Sequence, residues 1–300
     1  MHYTGTIWRP PYEAGSLLLQ VTAGCTHHKC KFCTLYADLP FPFRLSPRQE
    51  LESDLLEVQT ADRDPISQLI ARLNGIPTPK EIYRVFLTGA NSFVLRTEKL
   101  LAIADLIRQY LPKVETIGCF ARVTDAVQKT DEDLFALRQA GYDGLTIGME
   151  TGDDEALRFM HKGYTAADIL TQCSFFYLTG ISGAGRGEAG AKATAELCNQ
   201  LHPRLIGANM LTVYSESELF AEIQRGNWEE ESEVEKYQEL KTLVQTLTIP
   251  VTFAAMGASN AVQLHGELPW ERARLLRDID QVLEAGESKL RQYRVTLPHL

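Results

Sequence analysis

Residues 21–33 read Val21-Thr-Ala-Gly-Cys25-Thr-His-His-Lys-Cys30-Lys-Phe-Cys33. This segment holds three of the six cysteines of the 300-residue chain. It follows an apolar run that predicts a strand, so the cysteines lie in the loop at that strand's end. Thiolates are soft ligands for Zn²⁺ and for iron–sulfur clusters. Crowded cysteines in a reducing compartment indicate metal binding or redox chemistry rather than disulfides.

Three kinds of metal centre compete for this spacing. A structural zinc site, completed by His27 or His28, would need a second ligand pair at finger-like distance, and none follows. A plant-type [2Fe–2S] centre opens with the same C-x4-C-x2-C spacing but needs a fourth cysteine, and the next is the distant Cys119. Three cysteines without a fourth suit a cubane cluster that leaves one iron open to a small molecule.

Short apolar runs recur along the chain, beginning with the one before this loop, at intervals close to the length of a βαβ unit, with helical periodicity between them. They are Leu17–Thr22, Ile82–Leu87, Thr116–Phe120, Gly144–Gly148, Phe175–Ile181 and Leu205–Val213. Such alternation predicts parallel strands joined by right-handed crossovers. Six units are fewer than the eight of a complete barrel, so we predict an α/β fold, a partial (β/α)6 TIM-like barrel over residues 1–215. Residues 165–174 predict a helix that runs directly into the fifth strand.

The character of the chain changes after the sixth strand. An acidic run from Glu229 to Glu235 opens a helical pattern, and we interpret it as a solvated helix start. A short strand near Val251–Ala254 and a last helix follow. No low-complexity linker interrupts the sequence, so we predict a mainly helical extension over residues 216–300 that caps the barrel.

The bulk composition limits the partners. The formal net charge is −9, from 39 acidic and 30 basic residues, so a basic footprint for nucleic acid is missing. No apolar run reaches the roughly 20 residues that span a bilayer. The first residues lack the charged-then-apolar order of a signal peptide. We therefore expect a cytoplasmic protein with no nucleic-acid or membrane partner.

The cysteine loop resembles that of the radical S-adenosylmethionine (SAM) superfamily. The usual triplet there is C-x3-C-x2-C with an aromatic residue before the last cysteine, the place of Phe32. The C-x4-C-x2-C variant is similar to uncharacterised iron–sulfur oxidoreductases with C-S-H-N-K-C-T-F-C loops. Those oxidoreductases resemble the branch of the superfamily that contains coproporphyrinogen oxidases and methylthiotransferases. The resemblance implies that Cys25, Cys30 and Cys33 hold a [4Fe–4S] cluster, with Phe32 among the cofactor-binding residues.

A second stretch resembles the same branch. It reads Gly144-Leu-Thr-Ile-Gly-Met-Glu150-Thr-Gly-Asp-Asp-Glu-Ala-Leu-Arg-Phe-Met160-His-Lys162-Gly. The resemblance implies that Glu150 contacts SAM at the end of a strand and that Lys162 lies near the SAM carboxylate. A zwitterionic sulfonium ligand needs both a carboxylate and a cation in its pocket. The structural alternative is a helix start capped by Thr151 and Asp153, with Glu150 merely exposed.

Two glycine-containing turns complete the resemblance. Gly89, Ala90 and Asn91 follow the second strand, where the superfamily receives the SAM amino group, but the acidic residue usual in that turn is absent. Gly183 and Gly185 follow the fifth strand, where the resemblance implies close approach of the backbone to the adenosine. The alternative, a dinucleotide G-x-G-x-x-G fingerprint, lacks the acidic residue that should end the next strand.

The resemblance implies a radical SAM enzyme. The cluster cleaves SAM to methionine and a 5′-deoxyadenosyl radical that abstracts hydrogen from a small-molecule substrate. Candidate catalytic residues are Cys119, Arg122 and Tyr214, chosen because they lie at or beyond strand ends. For Cys119, and for Cys173 and Cys198, a small buried hydrophobic role is the alternative.

Charged residues surround the cysteine loop, namely Lys29, Lys31, Arg44 and Arg48. They are solvated loop charges or a docking patch for an acidic electron donor such as reduced flavodoxin or ferredoxin. Two other functions remain open from the residues alone: an iron–sulfur electron-transfer protein without SAM chemistry, and a zinc-stabilised binding protein.

Overall fold

The structure is a computed structural model that describes residues 1–74, 81–169 and 174–294. These residues form two compact units. The first comprises Met1–Thr26 and Asp38–Leu145, and the second comprises His27–Ala37 and the described chain from Thr146 onward. The cysteine loop therefore belongs to both, with Cys25 in the first unit and the other two cysteines in the second.

The first unit alternates short strands with helices. Its elements are β1 Leu17–Gln20, β2 Thr22–Gly24, β3 Phe43–Leu45, α1 Arg48–Arg63, α2 Pro65–Leu73, β4 Arg84–Thr88, α3 Thr97–Tyr110, β5 Thr116–Ala121, α4 Val123–Val127, α5 Asp131–Gln139 and the start of β6 Tyr142–Glu150, with 3₁₀ turns at Pro11–Glu13 and Ser92–Val94. Strands β1, β4 and β5 are neighbours in that order and run parallel, and β2 and β3 form a small antiparallel pair.

The core of the first unit follows the apolar runs. Leu19, Leu87 and Cys119 lie side by side on β1, β4 and β5, and none of the three side chains is exposed. Helix α3 buries Leu100 and Ile107, which are seven residues apart and therefore share one helix face. This packing fixes the ends of β4 and β5, where predicted site residues lie.

The second unit completes β6 and adds helices and strands. Its further elements are α6 Asp154–Phe159, a 3₁₀ turn at Ala166–Asp168, β7 Ser174–Thr179, α7 Gly187–Leu201, β8 Leu205–Met210, α8 Glu218–Gln224, α9 Glu233–Thr246, β9 Val251–Ala255, β10 Leu264–Leu268, α10 Arg272–Glu284 and α11 Glu287–Tyr293. The strand order is β6-β7-β8-β9-β10; β6 to β9 pair in parallel and β10 pairs antiparallel with β9.

An apolar cluster lies beside the ends of these strands. Met160, Ile181, Leu211 and Leu219 form its buried centre. Partly buried side chains pack against that centre, namely Phe32, Phe159, Leu178, Val213 and Trp228. The aromatic residue of the cysteine loop is thus held by the hydrophobic core of the second unit.

The predicted α/β class with a mainly helical C-terminal part is confirmed, and each of the six predicted strands is present. The strand predicted near Val251–Ala254 is β9. The β2–β3 pair and strand β10 were not predicted. The boundary between residues 215 and 216 stays a prediction.

Within the described residues, no helix combines the length and apolar character that crossing a membrane requires.

Two local predictions are wrong. The helix predicted over 165–174 is a single 3₁₀ turn at Ala166–Asp168, and residues 170–173, with Cys173, lie outside the described residues. The acidic run is not a solvated helix start throughout, because Glu231 and Glu233 are 2% and 3% exposed. Tertiary packing has drawn these two carboxylates into the interior.

Candidate functional site

The first cysteine is held at the end of the β2–β3 pair. The amide of Cys25 donates to the carbonyl of Pro42 at 2.8 Å. The preceding Gly24 has φ of +80°, and a Cβ there would lie 2.2 Å from the Pro42 oxygen. Only glycine allows the two backbones to approach this closely. Cys25 is half-buried and its thiol is free.

The second and third cysteines lie on one turn of the second unit. The amide of Cys33 donates to the carbonyl of Cys30 at 3.1 Å. Between them, the Lys31 amide donates to the Met160 carbonyl at 3.1 Å, and the Lys31 carbonyl accepts from the Leu219 amide at 2.9 Å. Backbone hydrogen bonds on both sides therefore fix this part of the loop.

The side chain of Lys31 adds a further anchor. Its Nζ lies 2.9 Å from a carboxylate oxygen of Glu222 and 4.1 Å from the centroid of the Phe159 ring. Lys31 is only 8% exposed. The prediction that Lys31 is a solvated charge or part of a docking patch is therefore wrong, because its ammonium is committed to an internal ion pair.

The three cysteines of the loop differ in exposure. None of them forms a disulfide, and Cys33 is exposed whereas Cys25 and Cys30 are half-buried. Among the described residues, no group of three or more Cys, His, Asp and Glu side chains is gathered around one point that could hold a metal ion. Three cysteine side chains in one loop are the soft donor set that an iron–sulfur cluster takes.

The turn after β4 reaches the loop of the first cysteine. Gly89 has φ of +120°, and a Cβ there would lie 2.0 Å from Oγ1 of Thr22. The Ala90 amide donates to the Gly24 carbonyl at 3.4 Å. The structure therefore brings this predicted turn against the segment that carries Cys25.

Asn91 makes the most specific of these contacts. Its Nδ2 donates to Oγ1 of Thr26 at 2.7 Å, and its Oδ1 accepts from the Thr26 amide at 3.4 Å. Nδ2 also donates to Oδ2 of Asp125 at 3.1 Å. The sequence analysis missed Asp125. Its position three residues after Arg122, where it caps the start of α4, was the available signal.

Glu150 and Lys162 pair with each other. Nζ of Lys162 lies 2.9 Å from Oε1 of Glu150, and Lys162 is 6% exposed. Burial lowers the pKa of Lys162, but the charge and hydrogen bond of Glu150, together with Tyr164 and Cys30, outweigh burial, so the pKa is raised. The lysine is therefore charged in the interior. The alternative of an exposed Glu150 is wrong, although Asp153 does cap α6, as that alternative expected.

Unusual backbone geometry presents Glu150. The residue has φ of +65°, and the β6–β7 register shifts between Gly148 and Glu150. A Cβ at Gly148 would lie 2.5 Å from Oε1 of Glu150. The hydroxyl of Tyr164 donates to the carbonyls of Gly148 and Met149, at 2.8 and 3.1 Å. Tyr164 was not predicted, because the sequence shows no pattern that links it to the strand end.

The glycine turn after β7 borders a cavity of about 460 Å³. Gly183 and Gly185 have φ of +86° and +74°, so both use the left-handed region. A Cβ at Gly183 would lie 2.8 Å from Nε1 of Trp228, and no atom lies within 4 Å of one at Gly185. Lys31 and Phe159 also line this cavity.

The three candidate catalytic residues have different surroundings. Cys119 is fully buried, which matches the alternative of a small core residue. Arg122 is half-buried and donates to Oγ1 of Thr124 at 3.2 Å. The carbonyl of Tyr214 accepts from the amide and hydroxyl of Ser217. Their catalytic roles stay predictions. Cys198 is also buried, and burial raises the pKa of its thiol to about 12.

Residues 19–176 match the Radical SAM superfamily, and this match spans more than half of the chain. The chain belongs to the radical SAM superfamily. It is therefore an enzyme of a class that uses a [4Fe–4S] cluster and S-adenosylmethionine.

Solved structures show distant likenesses. Coproporphyrinogen III oxidase (HemN) from Escherichia coli is 16% identical, with a TM-score of 0.49 over 77% of this chain and 50% of that chain. Elp3 from Methanocaldococcus infernus is 12% identical, with a TM-score of 0.49 over 90% and 63%. Methylornithine synthase (PylB) is 13% identical, with a TM-score of 0.48 over 93% and 85%. Likenesses this distant do not identify a substrate.

No match was found among curated proteins.

Proposed function

We propose that Cys25, Cys30 and Cys33 hold a [4Fe–4S] cluster with one iron open to SAM. Held by these residues and reduced by an external donor, such a cluster would supply the electron for cleavage of SAM to methionine and a 5′-deoxyadenosyl radical, and that radical would take a hydrogen atom from a small-molecule substrate. The observation that carries this proposal is a loop with three cysteines, none of them in a disulfide, whose Cys30–Cys33 part is fixed by backbone hydrogen bonds.

The remaining predicted residues bind and orient the nucleotide in this proposal. Glu150 and Lys162 supply a carboxylate and a cation for a ligand that carries both charges. The turn from Gly89 to Asn91 faces the ligand's amino group. Gly183 and Gly185 let the backbone approach the adenosine. The cavity beside Gly183 is the proposed space for part of that nucleotide.

The electron source is proposed to be reduced flavodoxin or ferredoxin. Lys29, in the cysteine loop, is exposed and available to an acidic donor. Lys31 is excluded from that contact by its ion pair with Glu222. The net charge of −9 favours a small molecule over a nucleic acid as the substrate.

The decisive experiment measures cofactor content and turnover of SAM together. Protein is reconstituted anaerobically with iron and sulfide, its cluster is verified by spectroscopy, and SAM and dithionite are added. We expect 5′-deoxyadenosine from the wild type and none from Cys30→Ala. The matched control is Cys198→Ala, which removes a buried thiol far along the chain and should keep the activity.

Three outcomes would contradict the proposal. A normal cluster without SAM affinity would indicate an electron-transfer protein. A colourless protein with one zinc per chain after anaerobic purification would indicate a zinc-stabilised binding protein. Equal 5′-deoxyadenosine formation by the wild type and Cys30→Ala would show that the cysteine loop takes no part in the reaction.

A further inference from the structure

The turn from Gly89 to Asn91 lacks an acidic residue, yet a carboxylate lies beside it. Asp125 lies in the first turn of α4, the helix that follows β5, and its Oδ2 accepts from Nδ2 of Asn91 at 3.1 Å. The same oxygen accepts from the Arg122 amide at 2.8 Å. Asp125 is 4% exposed and Asn91 is completely buried. The carboxylate is therefore a built part of this turn, supplied from the next strand.

Both groups that donate to Asp125 are neutral. In the ranges that the structure describes, no lysine or arginine forms an ion pair with it, and the charges of Arg122 and Lys129 act on it through space. Burial of a carboxylate is costly unless its hydrogen bonds are made. Asp125 therefore depends on the Asn91 amide, and the amide group in turn depends on Asp125.

A carboxylate can only accept hydrogen bonds, and this fixes the orientation of the Asn91 amide group. Nδ2 must face Asp125, so Oδ1 must face the other way. In that orientation Oδ1 accepts from the Thr26 amide, and Nδ2 also reaches Oγ1 of Thr26. A rotated amide group would place an acceptor against the carboxylate and a donor against the Thr26 amide.

We propose that Asp125 is a positioning residue for the first cysteine: it sets the orientation of the Asn91 amide, and Asn91 holds Thr26 and thereby Cys25. The inference rests on the proposed function only for the role that it gives Cys25. It assigns to Asp125, in the helix after the next strand of the sheet, the role of fixing this turn against the segment that carries Cys25.

The test follows the reactivity of the Cys25 thiol in the metal-free protein. Iodoacetamide alkylation is timed by mass spectrometry of the peptides that carry Cys25 and Cys33. We expect Asp125→Leu and Asn91→Ala each to alkylate at Cys25 about fivefold faster than the wild type, the factor that corresponds to loss of one hydrogen bond of about 1 kcal/mol. Cys33, which is already exposed, should react at an unchanged rate in the same samples.

Two controls separate positioning from other effects. Asp133→Leu removes the equivalent helix-capping carboxylate at the third position of α5, so it should lower stability without changing the Cys25 rate. Asp125→Asn removes the charge but keeps an oxygen that can accept from Asn91, so it should stay near the wild-type rate. The double variant Asp125→Leu with Asn91→Ala should be no faster than either single variant.

The inference is overturned if Cys25 alkylates at the wild-type rate in Asp125→Leu, or if Asp133→Leu accelerates it equally. It is also overturned if Asp125→Asn reacts as fast as Asp125→Leu, because the charge and not the hydrogen bond would then be responsible. Cluster retention, measured separately as iron and sulfide per chain, should fall in Asp125→Leu and not in Asp133→Leu. A wild type that binds no cluster but shows the alkylation pattern would refute the proposed function and support the positioning role.

Discussion

Two acidic residues of the second unit, the half-buried Glu150 and the fully buried Glu239, are stabilised in opposite ways. Glu150 lies 2.9 Å from the ammonium of Lys162, so an opposite charge compensates it. Glu239 faces a second acid, Glu231, and both lie against Gly187. A Cβ at Gly187 would lie 2.5 Å from a carboxyl oxygen of Glu231 and 2.6 Å from one of Glu239. The first site keeps two full charges in the interior, and the second brings two like groups together.

At the second site, a proton has the compensating role that the Lys162 cation has at the first site. Glu239 accepts from the Tyr177 hydroxyl and from the Gly180 amide at 2.9 Å. Neither carboxyl oxygen of Glu231 has a donor among the described residues. Burial, followed by the charge of Glu239, raises the pKa of Glu231 to about 10. Glu231 is therefore neutral at pH 7 and bonds to Glu239 as an acid, in contrast to the charged pair at the Glu150 site.

The largest effect is expected from breaking the charge pair. Lys162→Met leaves Glu150, whose side chain is 14% exposed, without its cation, and we expect it to lower the free energy of unfolding by about 3 kcal/mol, the lower end of the range for buried pairs. The double variant Lys162→Met with Glu150→Gln should recover at least half of that loss, because two neutral side chains need no opposite charge beside them. Urea denaturation of the purified protein at pH 7 measures both variants.

An exposed ion pair provides the control for that experiment. Lys113 pairs with Glu81, and both side chains are at least half exposed. Lys113→Met should cost less than about 1 kcal/mol, because solvent already screens the pair. Equal losses in Lys113→Met and Lys162→Met would contradict the buried, charged state of the Glu150 site.

The second prediction concerns pH. Unfolded Glu231 loses its proton near its ordinary pKa of 4.5, whereas the folded protein keeps it until about pH 10. The folded state binds this proton more tightly in this window, so the contribution of Glu231 to stability is fully present below pH 4.5 and falls as pH rises. The fall reaches up to about 1.4 kcal/mol per pH unit. Glu231→Gln donates to Glu239 without a titrating proton, so it should remove this part of the slope between pH 6 and 9.

Other charges near the pair limit what the variant can change. Lys236 opposes the raised pKa of Glu231, and Glu235 and Glu239 support it. These groups remain in Glu231→Gln, so only the proton of Glu231 is removed. Glu284→Gln, an exposed acid at the end of α10, is the control and should keep the wild-type slope. A wild-type slope in Glu231→Gln would show that Glu231 is already ionised in the folded protein.

The difference between the two acid sites also explains what the sequence could predict. Apolar periodicity placed all six parallel strands, and motifs just after strands identified Glu150, Lys162 and Asn91. Sequence spacing did not indicate that Glu150 and Lys162 pair with each other. Glu231 and Lys31 were expected in solvent, because a charged residue in a polar run gives no sign of a buried partner such as Glu239 or Glu222.

Asp125 and Tyr164 were missed for a related reason. Each acts through one hydrogen-bonding group on a partner that is distant in the sequence. The place of Asp125 three residues after Arg122 indicates a helix cap, but it does not indicate the contact with Asn91. The packing of strand ends brings these partners together.

The smallest predicted effect separates geometry from charge at the Glu150 site. Tyr164→Phe removes the hydroxyl that donates to the Gly148 and Met149 carbonyls but leaves the Glu150–Lys162 pair in place. We expect a loss of about 1 kcal/mol in the free energy of unfolding, and weaker SAM binding in the cluster-loaded protein.

Tyr3→Phe is the control, since its half-exposed hydroxyl donates to the Leu18 carbonyl and water can replace that bond. A loss as large as that of Lys162→Met would mean that the tyrosine, and not the ion pair, is the main support of the strand end. Unchanged SAM affinity would mean that the left-handed conformation of Glu150 does not depend on Tyr164.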